Sequence, residues 1–286
     1  MNALMNYIQL TKPRIMLLIV ASGAIAIFME GSLRDQPGQI FILLTAIFLT
    51  GGSANAMNQF IERDIDARMS RTKHKRVLVQ GRISAMNAMV FALGIGSAGL
   101  LILGIEFNWY AAAISLCSIL YYTVFYTLWL KPHTDQNVVI GGVCGALVPV
   151  GAWMAAAGNV SLTPWILFLI IFFWTPPHFW ALALLYKDDY IESGLTMMPI
   201  QRGDRATIRQ ILIYSWLLVL TSFSLCLGQA GSVYFISSAG LGSLFLVKAY
   251  RLKRHPDPED FRALFRYSIL YLFTLFAAIV VDDWIS

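Results

Sequence analysis

The chain has 286 residues, of which 58% are hydrophobic and only 13% are charged. Counting the 21 glycines as apolar raises that share to roughly 65%, against roughly 45–50% in soluble domains. This composition excludes a soluble globular domain, a disordered chain and a disulfide scaffold, and it leaves a polytopic membrane protein. The net charge of +5 comes from the loops, where contact with anionic lipid explains it without nucleic acid.

Stretches without Asp, Glu, Lys or Arg mark the segments that can cross a bilayer, which takes about 20 helical residues. Two of these stretches, 136–186 and 210–247, are long enough to cross twice. We therefore predict an all-α membrane protein, a single polytopic domain over residues 1–286. Its nine predicted spans cover approximately residues 14–32, 38–61, 84–105, 108–130, 137–157, 163–186, 210–228, 231–250 and 266–283.

The distribution of basic residues predicts the orientation of these spans. With a cytoplasmic N-terminus, the alternating loops on the inner side hold every Lys and Arg except Arg34. The positive-inside rule then places the C-terminus on the opposite side. No signal-peptide cleavage site follows the first apolar stretch, and no transit-peptide-like extension precedes residue 14. These features favour a bacterial inner (cytoplasmic) membrane over a mitochondrial precursor.

The second predicted span ends in polar residues that share one helix face. Asn58, Glu62 and Asp66 are spaced i, i+4, i+8, so each step drifts only about 40° around the helix. An amide and two carboxylates at this spacing suit Mg²⁺, which keeps some waters and binds phosphates. The alternative is an ordinary charged helix end. Ser53 and Asn55 lie inside the span and favour contact with a cavity or another helix.

A basic loop follows this face directly. It contains Arg68, Arg71, Lys73, Lys75 and Arg76. A metal–diphosphate ligand would place its metal on the carboxylates and its phosphate oxygens on Arg and Lys. A loop that is basic only because it is cytoplasmic is the alternative for any single residue.

Two further clusters of polar and aromatic residues lie at cytoplasmic span ends. The sixth span ends in the sequence WTPPHFW, in which Pro176 and Pro177 interrupt helix hydrogen bonding just before His178. The fourth span ends in aromatic residues followed by Lys131. A structural histidine and an interfacial aromatic belt are the respective alternatives.

Three blocks in this order resemble the UbiA superfamily of intramembrane prenyltransferases. They are ERDIDA at residues 62–67, the segment 126–142, and WTPPHFW at residues 174–180. All three blocks resemble the haem-prenylating branch, the protohaem IX farnesyltransferases (haem O synthases), and the first and last blocks together are highly specific. The second acidic motif departs from the usual D-x₃-D. Asp189 is the matching residue, and an Asp188–Glu192 pair is the alternative.

The resemblance implies nine transmembrane helices around a central cavity, in a UbiA-like prenyltransferase fold. It implies transfer of a farnesyl group from farnesyl diphosphate to a vinyl group of haem B, giving haem O. Diphosphate departure would be assisted by Mg²⁺ and would leave a carbocation-like intermediate. The implied partners are farnesyl diphosphate, haem B and the lipid bilayer, and haem A synthase or a haem–copper oxidase assembly is a further candidate.

Residue types and the resemblance together give the candidate site. The metal and catalytic candidates are Asn58, Glu62, Asp66 and Asp189, with His178 as a further catalytic candidate. The diphosphate-binding candidates are Arg71, Arg76, Lys131 and Lys187. The candidates that line the prenyl chain or stabilise a cation are Tyr122, Tyr126, Trp174 and Phe179.

Two alternative functions remain at this point. Another UbiA-type prenyltransferase would share the acidic face but would use a quinone precursor or other aromatic acceptor. A polytopic transporter would carry polar residues through the whole membrane depth, whereas the charged groups here gather on one side. Release of diphosphate in the presence of Mg²⁺ would exclude the transporter.

Overall fold

The computed structural model describes residues 3–228 and 230–285. In that part of the chain, nine helices are long and apolar enough to span a membrane, which confirms the predicted fold class and number of spans. They are α1 (Pro13–Glu30), α2 (Pro37–Ile61), α3 (Ala85–Phe107), α4 (Trp109–His133), α5 (Asn137–Ala157), α6 (Leu162–Leu185), α7 (Gly203–Leu227), α8 (Ser232–Arg254) and α9 (Pro258–Ile285).

The ends of two helices differ from the sequence prediction. Helix α7 begins at Gly203 rather than at residue 210, and α9 begins at Pro258 rather than at residue 266. Both added segments contain charged residues, which end the charge-free stretches on which the sequence prediction rests. A charge ends an apolar stretch but does not break a helix, so both helices continue into the interfacial region.

The chain divides into two compact units. The first contains the chain up to His133 together with Leu147–Val160 and Asp188–Leu195. The second contains Thr134–Ala146, Ser161–Lys187 and the chain from Thr196 onward.

In the first unit, α2 packs closely against α3 through small residues. A Cβ on Gly96 would lie 2.4 Å from Ser53 Oγ, and one on Gly99 would lie 2.8 Å from Thr50 Cγ2. Glycine at both positions therefore allows the two backbones to approach. The Ser53 hydroxyl donates a 2.7 Å hydrogen bond to the Ala92 carbonyl, so a neighbouring helix satisfies this mid-span polar group.

Helix α4 changes its winding where it meets α2. Residues Tyr121–Leu130 form a π-helix. This form is rare in proteins, and where it occurs it is often at a functional site. In this segment the Thr127 hydroxyl donates to the Tyr122 carbonyl at 2.7 Å, a spacing of five residues. The wider turn precedes Lys131 and places Thr127 against α2.

In the second unit, α6 packs against the first half of α5 (Asn137–Ala146), α7 and α9. Pro176 and Pro177 remove two backbone donors, but α6 continues through both prolines to Leu185. The two prolines therefore cost the helix backbone hydrogen bonds, as predicted, but they do not end it. Proline's fixed φ suits helical geometry, and most residues around this pair are buried, so packing supports the helix here.

Candidate active site

The structure places Asn58, Glu62 and Asp66 on one continuous helical face. The Glu62 N–H donates to the Asn58 carbonyl at 2.9 Å, and the Asp66 N–H donates to the Glu62 carbonyl at 2.8 Å. The helical register therefore persists beyond the end of α2. All three side chains are buried, whereas Asp64, between them in sequence, is exposed. We call Asn58, Glu62 and Asp66 the acidic face.

Each residue of the acidic face meets one cation. The three contacts are Lys12 Nζ to Asn58 Oδ1 at 2.7 Å, Lys131 Nζ to Glu62 Oε1 at 2.5 Å, and Arg76 Nε to Asp66 Oδ2 at 3.3 Å. The amide nitrogen of Asn58 also donates to Thr127 Oγ1 at 3.2 Å. Two predicted diphosphate ligands, Arg76 and Lys131, therefore lie directly against the predicted metal ligands.

Lys12 is the residue that sequence reasoning missed. It lies in the left-handed region at φ 54°, and no other non-glycine residue in the described chain has a positive φ. It also precedes Pro13, which disfavours helical conformations at this position. Such a conformation costs of order 1–3 kcal/mol and persists where surrounding contacts require it. A lysine immediately before the proline that starts an apolar span was the only signal.

The charges on this face shift one another's titration. Burial acts to raise the pKa of Glu62, but the charge and hydrogen bond of Lys131, with Lys12, hold that pKa below its usual value. Burial, followed by repulsion from Arg76, lowers the pKa of Lys12 to about 7. The Glu62 carboxylate is therefore stabilised in its charged form by the cations around it.

Asp189, in the segment Asp188–Leu195 of the first unit, is hydrogen-bonded to the loop after α2. Its carboxylate accepts a 2.5 Å hydrogen bond from the Ser70 hydroxyl and a 3.0 Å hydrogen bond from the Arg71 N–H. Asp189 is buried, whereas Asp188 and Glu192 are exposed. Asp189 therefore has partners on the loop after α2, Ser70 among them, whereas both residues of the Asp188–Glu192 alternative are exposed.

The donor set of the acidic face fits Mg²⁺. Mg²⁺ takes hard oxygen ligands and is usually held by one or two carboxylates plus waters and substrate phosphates. Glu62 and Asp66 supply carboxylates, and Asn58 supplies an amide oxygen. In the described part of the chain, no three His, Cys, Asp or Glu residues gather closely enough to hold a metal ion alone. A site completed by phosphate oxygens is the kind that this arrangement can form.

The remaining candidates differ in their surroundings. The rings of Tyr122 and Tyr126 stack with centroids 5.5 Å apart, in the same unit as the acidic face. Arg71 contributes its backbone N–H to Asp189, and its side chain is half-buried. Lys187 belongs to the second unit, where its Nζ lies 2.7 Å from Asp204 Oδ1.

His178 lies in the second unit among neutral groups. Its ring stacks between Trp174 and Phe265, with centroid distances of 4.4 and 4.7 Å. Its Nδ1 lies 2.7 Å from Ser268 Oγ, and the Trp174 Nε1–H donates to the Ser268 carbonyl at 2.7 Å. We call Trp174, His178, Phe265 and Ser268 the histidine cluster. Phe179 is next to it in sequence and 41% exposed.

Comparison with known proteins decides the family. The UbiA prenyltransferase family matches residues 17–276 of this chain. The chain belongs to the UbiA prenyltransferase family. This confirms the predicted class of intramembrane prenyltransferase, and it removes support for the transporter alternative.

Sequence relatives agree with this membership, and solved structures share the fold. The protoheme IX farnesyltransferase of Gloeobacter violaceus is 43% identical over 283 residues, which cover 98% of this chain and 92% of the relative. That of Rhodopseudomonas palustris is 43% identical over 97% of this chain and 90% of the relative. A solved digeranylgeranylglyceryl phosphate synthase shares the fold with a TM-score of 0.81 at 19% identity, covering 99% of both chains. A UbiA homologue from Archaeoglobus fulgidus, solved with GPP and Mg²⁺, has a TM-score of 0.68 at 16% identity, covering 96% of this chain and 99% of that one.

Proposed function

We propose that this protein transfers a farnesyl group from farnesyl diphosphate to a vinyl group of haem B to make haem O. The observation that carries the proposal is the buried acidic face, with a cation against each of its three residues. The acceptor is supported by relatives named protoheme IX farnesyltransferase that are 43% identical to almost the whole chain. The aromatic acceptors of other UbiA enzymes are the second candidates.

Lys12, Lys131 and Arg76 bind the diphosphate in this proposal. They lie against the acidic face, at 2.5–3.3 Å from its oxygen atoms. A diphosphate gives them an alternative anion, and charge-assisted bonds to phosphate are about twice as strong as neutral ones. Because the leaving diphosphate gains negative charge as the carbon–oxygen bond breaks, these contacts strengthen in the transition state.

Asn58, Glu62 and Asp66 would hold Mg²⁺, with Asp189 as a further ligand. When bound, Mg²⁺ supplies neutralising charge to the departing diphosphate. Both Asp189 oxygens accept hydrogen bonds from the loop after α2, and each keeps a second lone pair for a metal. Asp189 thereby also orders the loop that ends in Arg76.

The stacked pair Tyr122 and Tyr126 lines the prenyl chain in this proposal. An aromatic face stabilises a nearby cation by about 0.5–2 kcal/mol. The farnesyl carbon bonds to the terminal vinyl carbon, and water then supplies a hydroxyl to the carbon beside the porphyrin. The balanced reaction consumes farnesyl diphosphate, haem B and water and gives haem O and diphosphate. Trp174 and Phe179 are proposed to line the hydrophobic substrates.

We also propose a membrane and an orientation for the protein. Twenty of the 21 Lys and Arg residues fall on one side of the nine spans, which favours a cytoplasmic N-terminus in a bacterial inner membrane. Haem O made there would pass to haem A synthase or to a haem–copper oxidase assembly. Reporter fusions at the two termini test the orientation, and reporters on the same side would contradict it.

The reaction itself is tested by product mass. Purified protein is incubated with farnesyl diphosphate, Mg²⁺ and an equal mixture of haem B and an aromatic acid. We expect one farnesyl group and one hydroxyl on haem, with one diphosphate released per product and no reaction in excess chelator. Farnesylation of the aromatic acid alone would replace haem with the second candidate acceptor.

A further inference from the structure

The histidine cluster contains a chain of two hydrogen bonds through the Ser268 hydroxyl. The Ser268 hydroxyl donates to the Phe265 carbonyl at 2.7 Å, one turn earlier in α9. His178 Nδ1 lies 2.7 Å from the same hydroxyl oxygen. A serine hydroxyl has one hydrogen and two lone pairs. Because a carbonyl can only accept, the 2.7 Å contact assigns the hydroxyl hydrogen to Phe265; the hydroxyl then accepts from His178, and Nδ1 carries the proton.

This assignment leaves the other imidazole nitrogen as an acceptor. A neutral imidazole has one N–H and one bare nitrogen, so Nε2 of His178 presents a lone pair. Among the described residues Nε2 has no hydrogen-bond partner, and it is not fully enclosed. The side chain as a whole is about nine-tenths buried, and stacking of Trp174 and Phe265 fixes its plane.

An imidazole held in this way has the surroundings of a metal ligand. Metal-bound histidines almost always donate their second ring N–H to a fixed acceptor, which sets the tautomer and the ring orientation. A bare metal ion would need further protein ligands, and no group of three His, Cys, Asp or Glu occurs in the part of the chain described. A single nitrogen instead suits a metal whose equatorial positions are already filled, as in an iron porphyrin.

We propose that His178 ligates the iron of the porphyrin substrate through Nε2, and that Ser268 is the positioning residue that keeps Nε2 unprotonated. The inference rests on the proposed function, since it assumes a haem acceptor. A neutral serine raises the basicity of an imidazole less than a carboxylate would. The resulting iron–nitrogen bond is suited to a substrate that has to leave after the reaction.

The test compares two porphyrins by their absorption spectra. Purified protein in nanodiscs is titrated with iron protoporphyrin IX and with metal-free protoporphyrin IX. We expect an imidazole-type Soret shift with the iron porphyrin, and its loss in His178→Ala. Added imidazole should restore that shift in His178→Ala, because it can occupy the space left by the side chain. Affinity for the metal-free porphyrin should change much less than affinity for the iron porphyrin in each variant.

Ser268→Ala tests the positioning role without touching the proposed ligand. Loss of a partner of a metal-bound histidine lowers metal affinity about 10–100-fold, so we expect about a tenfold weaker affinity for the iron porphyrin. Ser215→Ala is the matched control. Ser215 is also fully buried in the second unit, but among the described residues its hydroxyl bonds only to the Ile211 carbonyl of its own helix, at 2.6 Å. Ser215→Ala should bind the iron porphyrin like the unmodified protein.

The outcomes separate this inference from the proposed function. An unchanged spectrum in His178→Ala, with haem still farnesylated by the unmodified protein, overturns the iron ligand and leaves the function standing. Equal weakening in Ser268→Ala and Ser215→Ala overturns the positioning role. Failure of the unmodified protein to bind the iron porphyrin or to farnesylate haem contradicts the proposed function itself.

Discussion

The acidic face and the histidine cluster are both buried, but they hold their polar groups in opposite ways. On the acidic face, opposite charges form ion pairs: Lys131 pairs with Glu62, and Arg76 pairs with Asp66. The histidine cluster contains no charged side chain. His178 is held there by a serine hydroxyl and by aromatic rings.

This difference bears on what each region can bind. A buried ion pair that loses one partner costs about 3–5 kcal/mol, because the remaining charge is left without compensation. A charged ligand that supplies a new partner avoids that cost, so the acidic face suits a diphosphate with its metal. The histidine cluster has no ion pair that a charged ligand could replace. It suits a largely apolar substrate that accepts the lone pair of His178 Nε2. Variants of the acidic face and of the loop after α2 test the charged half of this contrast.

The largest effect is expected for Asp66→Ala. Removal of this carboxylate deletes a proposed Mg²⁺ ligand and leaves Arg76 without its buried partner. We expect kcat for haem farnesylation to fall about 10³-fold, at the upper end of effects seen when one transition-state contact is lost. Asp64→Ala is the matched control, because Asp64 is exposed and two residues away. Equal activity in both variants would exclude the acidic face from catalysis.

A smaller loss of activity, with a measurable loss of stability, is expected for Lys131→Met. The change leaves Glu62 buried without its 2.5 Å partner, which costs about 3–5 kcal/mol, and it removes a diphosphate ligand. We expect a lower Tm and about a 10²-fold lower kcat/KM. The double variant Glu62→Gln/Lys131→Met should recover most of the Tm without recovering activity. Recovery of both would make the ion pair purely structural.

How far the sequence predicted this site depends on the range of each interaction. The register of Asn58, Glu62 and Asp66 follows from helical periodicity, which is local, and the structure contains it. The contact of Lys12 depends on a left-handed backbone at one residue, which periodicity does not encode. Ser268 is 90 residues from His178, so only tertiary packing brings them together. The nine spans were predictable because bilayer thickness imposes their length.

Lys12→Gly separates a binding role from a backbone role. Glycine adopts the left-handed conformation without strain, so the free energy of unfolding should fall by only about 1–3 kcal/mol, the cost of leaving buried Asn58 Oδ1 without its donor. Loss of one charge-assisted hydrogen bond should raise the KM for farnesyl diphosphate about tenfold. Arg14→Ala, an exposed cation two residues later, is the control for general electrostatic attraction. A similar KM in Lys12→Gly and Arg14→Ala would show that Lys12 acts only through general electrostatic attraction and not through a direct contact.

The smallest effect is expected for Ser70→Ala, which tests whether Asp189 orders the basic loop. Asp189 loses the hydroxyl donor but keeps the Arg71 N–H at 3.0 Å, so the local cost should be about 1 kcal/mol. We expect faster tryptic cleavage within residues 67–82 and about a threefold lower kcat/KM, because Arg76 is less well positioned. Ser70→Thr keeps the hydroxyl and should restore both values. If Ser70→Ala is cleaved no faster than the unmodified protein, the loop is held by contacts other than Asp189.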